Sequence, residues 1–174
     1  MAIKALLRTL TWSAAVLGGL IALLVGGMTV ASVAMRFFTT QPIQGDVEMV
    51  QMGIAIAISL CIAWCQMRGA NIIVDFFTQS ARPGALRALD GLGCLAMAVM
   101  YLLLAWRTTV GAFAVHEAFE TTMTLELPMW WAYAALAPGL ALAALVALVQ
   151  AWMHFTGQDL SSLHGQTDTE EAFA

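Results

Sequence analysis

The chain has 174 residues, of which 61% are hydrophobic and only 10% are charged. A soluble domain usually carries about 25% charged residues, so this composition excludes an ordinary soluble domain and indicates a surface that faces lipid. The net charge of −4 arises in residues 157–174, which hold four acids and no Lys or Arg, and no basic patch points to nucleic-acid binding.

The first predicted element is a membrane span over residues 12–35, which contain no charged residue. A bilayer core about 30 Å thick needs roughly 20 apolar residues in a helix. Lys4 and Arg8 precede this run, as basic residues do in a secretory signal peptide. Signal peptides have apolar regions of only about 7–15 residues, however, so the length predicts a retained span.

Three further spans are predicted, at residues 47–67, 91–115 and 128–153. Pro128 fits the first position of the fourth helix, where a missing N–H does no harm. Pro138 lies inside that helix and predicts a kink, because it removes a backbone hydrogen bond. Residues 116–127 fit either an extension of span three or a short separate helix.

A shorter apolar pattern occurs between spans two and three. Residues 71–80 are too few and too polar to cross a bilayer. Their apolar side chains recur at helical spacing, which predicts an amphipathic helix lying along the cytoplasmic interface. The predicted fold is therefore an all-α integral membrane domain over residues 1–156, with four transmembrane helices and one interfacial helix. An acidic cytoplasmic tail follows at residues 157–174.

The distribution of Lys and Arg predicts the orientation, because cytoplasmic loops carry an excess of both. Five of the seven fall on the side that holds the N-terminus and the loop between spans two and three. We therefore expect an inner-membrane protein with both termini in the cytoplasm. The acids of the body lie mainly on the other side: Asp46, Glu48, Glu117, Glu120 and Glu126.

Ionisable residues near or within the spans are the candidate functional positions, because charge is expensive in lipid. Arg107 is the one charge clearly within a span, at a depth near the outer boundary, and Glu48 opens span two. Antiparallel spans two and three could bring these two together as a structural pair. Snorkelling of Arg107 to headgroups, or contact with a partner subunit, are the alternatives. Arg36, at the end of span one, fits an interfacial anchor.

Small residues recur every four positions on the first two spans, and such faces let helix backbones approach closely in lipid. We expect them mainly to pack against each other within the bundle. The two faces are Gly18, Ala22 and Gly26 on span one, and Gly53, Ala57, Cys61 and Cys65 on span two.

No pattern in the sequence supports catalysis or a cofactor. Cys61 and Cys65 share a helix face, but no His or acid lies near them, so packing is the interpretation and not a metal site. His116 and His154 fall at opposite ends of the bundle, which argues against a membrane haem with two axial histidines. We expect neither an enzyme nor a cofactor- or metal-binding protein.

Several segments taken in order resemble the small membrane subunit of tripartite ATP-independent periplasmic (TRAP) transporters, the DctQ-like family. They are Arg36, the acidic opening of span two at residues 45–48, the segment RGANIIVD at 68–75, LPMWWAY at 127–133, and Pro138-Gly139. The order and the four-span length cover nearly the whole chain. Asn71 stands where the family commonly has His.

The resemblance implies a small permease subunit of a sodium-coupled uptake system for organic acids such as carboxylates. In such systems a periplasmic binding protein delivers the solute, and a large multi-span subunit holds the substrate and sodium sites. The small subunit then serves as a scaffold in the lipid bilayer. The alternatives are a four-helix anchor of a redox complex and a stand-alone small exporter, although an exporter needs an acid deep in a span.

The resemblance and the charges together give seven candidate structural or subunit-interface residues: Arg36, Glu48, Asp75, Arg107, Pro128, Trp130 and Trp131.

Overall fold

The computed structural model describes residues 2–39, 43–69 and 83–157. These ranges form four helices: α1 (Ala2–Thr39), α2 (Asp46–Met67), α3 (Pro83–Glu117) and α4 (Trp130–Thr156). All four are long and apolar enough to cross a membrane, which confirms the predicted four-span, all-helical class. The predicted interfacial helix, Asp75 and the acidic tail beyond residue 157 lie outside the described residues.

The helix ends differ from the predicted spans in a regular way. Both α1 and α3 continue beyond their apolar runs at each end, because a helix does not stop where the charge-free segment stops. The start of α4 is a correction, since its first helical residue is Trp130 and not Pro128. Pro128 instead pairs with Thr121 in an isolated antiparallel bridge. Farther along α4, the helix continues through Pro138 as one element.

Neighbouring helices pack in the order α1, α2, α4, α3, so α4 stands between α2 and α3. Contacts at both ends fix the directions. Residue 32 of α1 contacts residue 46 of α2, and residue 66 of α2 contacts residue 150 of α4. We call the end that holds Glu48 and residues 118–129 the Glu48 end, and the opposite end the Arg68 end.

The core of the bundle consists largely of alanine. Its central cluster joins α2, α3 and α4 through five alanines of α3 and α4 together with Ala63, Tyr101 and Leu140. A second cluster at the Arg68 end brings Leu7 of α1 to Met67, Val146 and Met153. Small side chains let the backbones approach closely, while most large Leu, Val and Phe side chains remain on the outside, where a membrane supplies their contacts.

The contact between α1 and α2 uses the predicted small-residue faces. A Cβ added at Gly18 would lie 2.9 Å from both the Ala57 carbonyl oxygen and the Cys61 Sγ. One added at Gly53 would overlap Val25. These contacts confirm that the two faces pack against each other within the chain. The Gly26 end of the α1 face is open, with nothing within 4 Å.

The contact between α2 and α4 is closest beside Pro138. The Ser59 hydroxyl of α2 donates a hydrogen bond of 2.7 Å to the Leu136 carbonyl oxygen of α4. A Cβ at Gly139 would overlap both the hydroxyl and the backbone of Ser59. Only glycine therefore fits at position 139 without separating the two helices.

Candidate interaction sites

The side chain of Glu48 holds the loop between α3 and α4. Its Oε1 accepts a hydrogen bond of 2.7 Å from the Thr124 backbone N–H, and its Oε2 accepts one of 3.0 Å from the Leu125 N–H. Glu48 lies in the first turn of α2, where the helix dipole also favours a negative charge. One carboxylate thus links the start of α2 to the loop that leads into α4.

The loop itself has a hairpin-like backbone. The Thr122 N–H donates to the Leu127 carbonyl at 2.9 Å, and the Met129 N–H donates to the Glu120 carbonyl at 3.1 Å. Positive φ angles at Phe119 and Glu126 flank this pairing. Neither of the two helical alternatives for residues 116–127 is therefore correct. Backbone pairing and Glu48 satisfy the polar groups that helix formation would otherwise have satisfied.

A cavity lies between α2 and α4 at the same end. Its volume is about 210 Å³. Polar groups from Glu48, Gln51 and Thr122 contribute to its lining beside Met52 and Tyr133. Its lining thus combines polar groups of the Glu48 end with apolar side chains of α2 and α4.

The structure does not bring Glu48 and Arg107 together. Because α4 lies between α2 and α3, these two helices are apart at the Glu48 end. Glu48 binds loop N–H groups instead. Arg107 is exposed, and it forms no ion pair within the part of the chain that the structure describes. Of the alternatives for Arg107, the pair with Glu48 is therefore not formed within the described part of this chain.

The other candidate residues fall at helix ends. Arg36 is exposed in the last turn of α1. Pro128 lies two residues before α4, and its carbonyl oxygen accepts a hydrogen bond of 3.3 Å from the Trp131 N–H. The Trp130 ring meets the His116 ring edge-on at a centroid distance of 5.4 Å. Trp131 is half exposed.

A buried polar cluster at the Arg68 end is absent from the sequence-based candidates. The Gln66 Nε2 donates to the Gln150 Oε1 at 2.8 Å, and the Gln150 Nε2 donates back to the Gln66 carbonyl oxygen at 2.8 Å. The Tyr101 hydroxyl lies 3.4 Å from the Gln66 Oε1. The three side chains come from α2, α4 and α3, so this cluster ties the three helices together. Two glutamines within apolar helices were the available signal, because polar side chains in lipid seek partners on neighbouring helices.

An apolar groove opens on the outside of the contact between α3 and α4. It encloses about 650 Å³, and small residues form part of its lining beside Pro138, namely Ala105, Ala137 and Ala141. Trp106 and Phe113 form large, exposed walls. No group of three His, Cys, Asp or Glu able to hold a metal ion occurs within residues 2–39, 43–69 and 83–157.

Comparison with known proteins gives one family. The model described as "Tripartite ATP-independent periplasmic transporters, DctQ component" matches residues 25–157. This range contains the second half of α1, all of α2 to α4, the Glu48 loop and the buried glutamine cluster. Neither the curated proteins nor the solved structures give a match.

Proposed function

We propose a role for this chain from one established premise, which is that it belongs to the DctQ component family of the tripartite ATP-independent periplasmic transporters. The family is a transporter component and not an enzyme family, and its members work with a large membrane permease and a periplasmic binding protein. The proposed role is a scaffold for the large subunit. The family match over residues 25–157 is the observation that carries the proposal.

The polar groups of the bundle support a scaffold more than a transport path. The buried polar side chains among the described residues all hydrogen-bond within the chain, namely Thr11, Ser32, Ser59, Gln66 and Gln150. A path for a charged solute needs polar groups that are free to exchange partners along the bilayer depth. Groups that are already paired between helices stabilise the bundle instead.

The transported solute is proposed from the family resemblance alone. We infer an organic acid, such as a carboxylate, moved together with sodium. Both would bind to the large subunit, after the binding protein has captured the acid. The proposed location is the inner membrane of a bacterium, with the Arg68 end in the cytoplasm and the Glu48 end in the periplasm.

Reconstitution into liposomes tests the scaffold role. The purified chain alone should give no sodium-driven uptake of the organic acid. The large subunit with the binding protein should transport only when this chain is added. Uptake by this chain alone would reject the scaffold role, and so would full uptake by the other two components without it.

A further inference from the structure

Arg107 lies at a depth where a bare charge is unfavourable. Contacts between the antiparallel helices α3 and α4 fix its level, since Gly111 approaches Tyr133 and His116 meets Trp130. By the same register Arg107 lies level with about residue 137 of α4. That residue is seven positions from Trp130, or roughly 10 Å at 1.5 Å per residue. Trp side chains favour the membrane–water interface, so Arg107 lies deeper in the membrane than Trp130.

The direction of the side chain opposes snorkelling to the near interface. In a helix each Cα–Cβ bond points back toward the N-terminus, and long side chains follow it. The N-terminus of α3 is at the Arg68 end, so this rule favours a direction for the Arg107 side chain that leads away from the Glu48 end. Its exposed neighbours Leu103, Leu104 and Val110 are all apolar. These apolar neighbours provide no carboxylate for the guanidinium.

Within residues 2–39, 43–69 and 83–157, no acid forms an ion pair with Arg107. Glu48 accepts hydrogen bonds from loop N–H groups. Asp46 accepts hydrogen bonds from the Ser32 hydroxyl and from a backbone N–H in the first turn of α2. Glu117 is ten residues farther along α3, which is about 15 Å at 1.5 Å per residue. The described acids thus leave Arg107 available to a carboxylate of another molecule.

The surface beside Arg107 suits a helix of that other molecule. Trp106 and Val110 border the apolar groove and flank Arg107 along α3. The alanines in the groove lining allow a second helix backbone to approach closely. We propose that a transmembrane helix of the large subunit packs on this open face of α3 and binds Arg107 through an Asp or Glu side chain. This inference rests on the proposed function, since the large subunit is the membrane partner.

Charge reversal tests the pairing. The tagged large subunit is co-expressed with wild type, Arg107→Gln, Arg107→Glu and Arg87→Glu, and the amount of this chain that co-purifies is measured. Arg87 is the matched control, an exposed arginine near the other end of the same helix. We expect Arg107→Glu to reduce association at least about tenfold, because two carboxylates then meet in lipid. Arg107→Gln should give a smaller loss, and Arg87→Glu none.

A second arm identifies the partner residue. Each Asp and Glu within the spans of the large subunit is changed to Arg and combined with Arg107→Glu. One of these changes should restore association and uptake. Unchanged co-purification of Arg107→Glu, or a loss that none of the reversals restores, would overturn the inference. A wild-type chain that fails to associate would reject the proposed function itself.

Lipid composition and stability complete the test. Association of the wild-type chain should be the same in vesicles of phosphatidylcholine alone and in vesicles that also contain phosphatidylglycerol. Association that requires phosphatidylglycerol would assign Arg107 to a lipid phosphate and overturn the inference. Thermal unfolding of each variant without its partner shows whether a loss comes from misfolding, and Arg107→Gln keeps the test valid if Arg107→Glu does not fold.

Discussion

At the scale of single residues, Glu48 has the most specific contacts of the charged groups. One carboxylate receives two backbone N–H donors from consecutive loop residues, Thr124 and Leu125. Hydrogen bonds to an ionised acceptor are stronger than those between neutral groups. The loop is thereby held against the start of α2, although it shares no regular secondary structure with that helix.

Replacing Glu48 should loosen the loop without unfolding the bundle. In Glu48→Gln one carboxylate oxygen becomes an NH₂ group, so one of the two N–H groups loses its acceptor. We expect several-fold faster amide hydrogen exchange at Thr124 or Leu125 and little change along α2 itself. Glu117→Gln is the matched control, because Glu117 is an exposed acid at the same end of the bundle. Equal exchange in the two variants would contradict the role of Glu48.

Sequence reasoning located Glu48 and Arg107 but left open whether they pair. The position of each along its helix follows from counting residues. Which helices are neighbours does not, because consecutive antiparallel helices need not touch. Here α2 and α3 both pack mainly against α4, and the Glu48 carboxylate accepts its hydrogen bonds from a loop. The pattern of side chains in a sequence does not show which backbone N–H groups of a loop will lie beside a carboxylate.

At the scale of elements, α4 organises the bundle. It packs against both α2 and α3, and it has the largest buried share of the four spans. Its contact with α2 depends on Gly139, where the Ser59 backbone leaves no room for a side chain. The preceding Pro138 donates no backbone hydrogen bond. The Ser59 hydroxyl bonds the carbonyl of Leu136 in the same turn.

Gly139→Ala should therefore separate α2 from α4. Overpacking of a close contact costs about 1–3 kcal/mol, and here the obstacle includes backbone atoms that cannot rotate away. The measurement is thermal unfolding of the purified chain in detergent, with Gly27→Ala as the control. Gly27 lies in α1 with nothing within 4 Å, so its alanine variant should match the wild type or gain about 0.5–1 kcal/mol. Equal stability of the two variants would show that the Gly139 contact is not needed.

The four helices were predictable because an apolar run long enough to cross a membrane can be recognised in the sequence without knowledge of the tertiary contacts. Each predicted span overlaps one helix, and the small-residue faces of α1 and α2 met as expected. The bonds between Gln66 and Gln150 were not predicted. Their 84-residue separation gives no local pattern, and each glutamine alone resembles an ordinary polar residue near the end of a span.

At the scale of the whole molecule, the two ends of the bundle differ in the sign of their charged residues. The Arg68 end carries Lys4, Arg8 and Arg87 besides Arg68, while most acids of the body lie at the Glu48 end. The positive-inside rule supplies the direction.

Reporter fusions test which end of the bundle faces the cytoplasm. Alkaline phosphatase fused at Glu120 should be active, because the Glu48 end should reach the periplasm. The same enzyme fused after Gly157 should be inactive, and a fluorescent reporter should give the reverse pattern. A fusion before Lys4 serves as the control and should behave like the fusion after Gly157. Activity of phosphatase at both Glu120 and Gly157 would reject the four-span topology.

The central position of α4 also imposes an order on biosynthesis. The ribosome makes this helix after the other three described helices, yet α3 packs chiefly against it, and the hydrogen bonds between Gln66 and Gln150 need it. Helices first insert singly and associate afterwards, so α1 and α2 can pair early while α3 has to wait. A nascent chain therefore completes its bundle only when its final 27-residue helix has entered the bilayer. A chain truncated before that point would present unfinished helix surfaces to the proteases of membrane quality control.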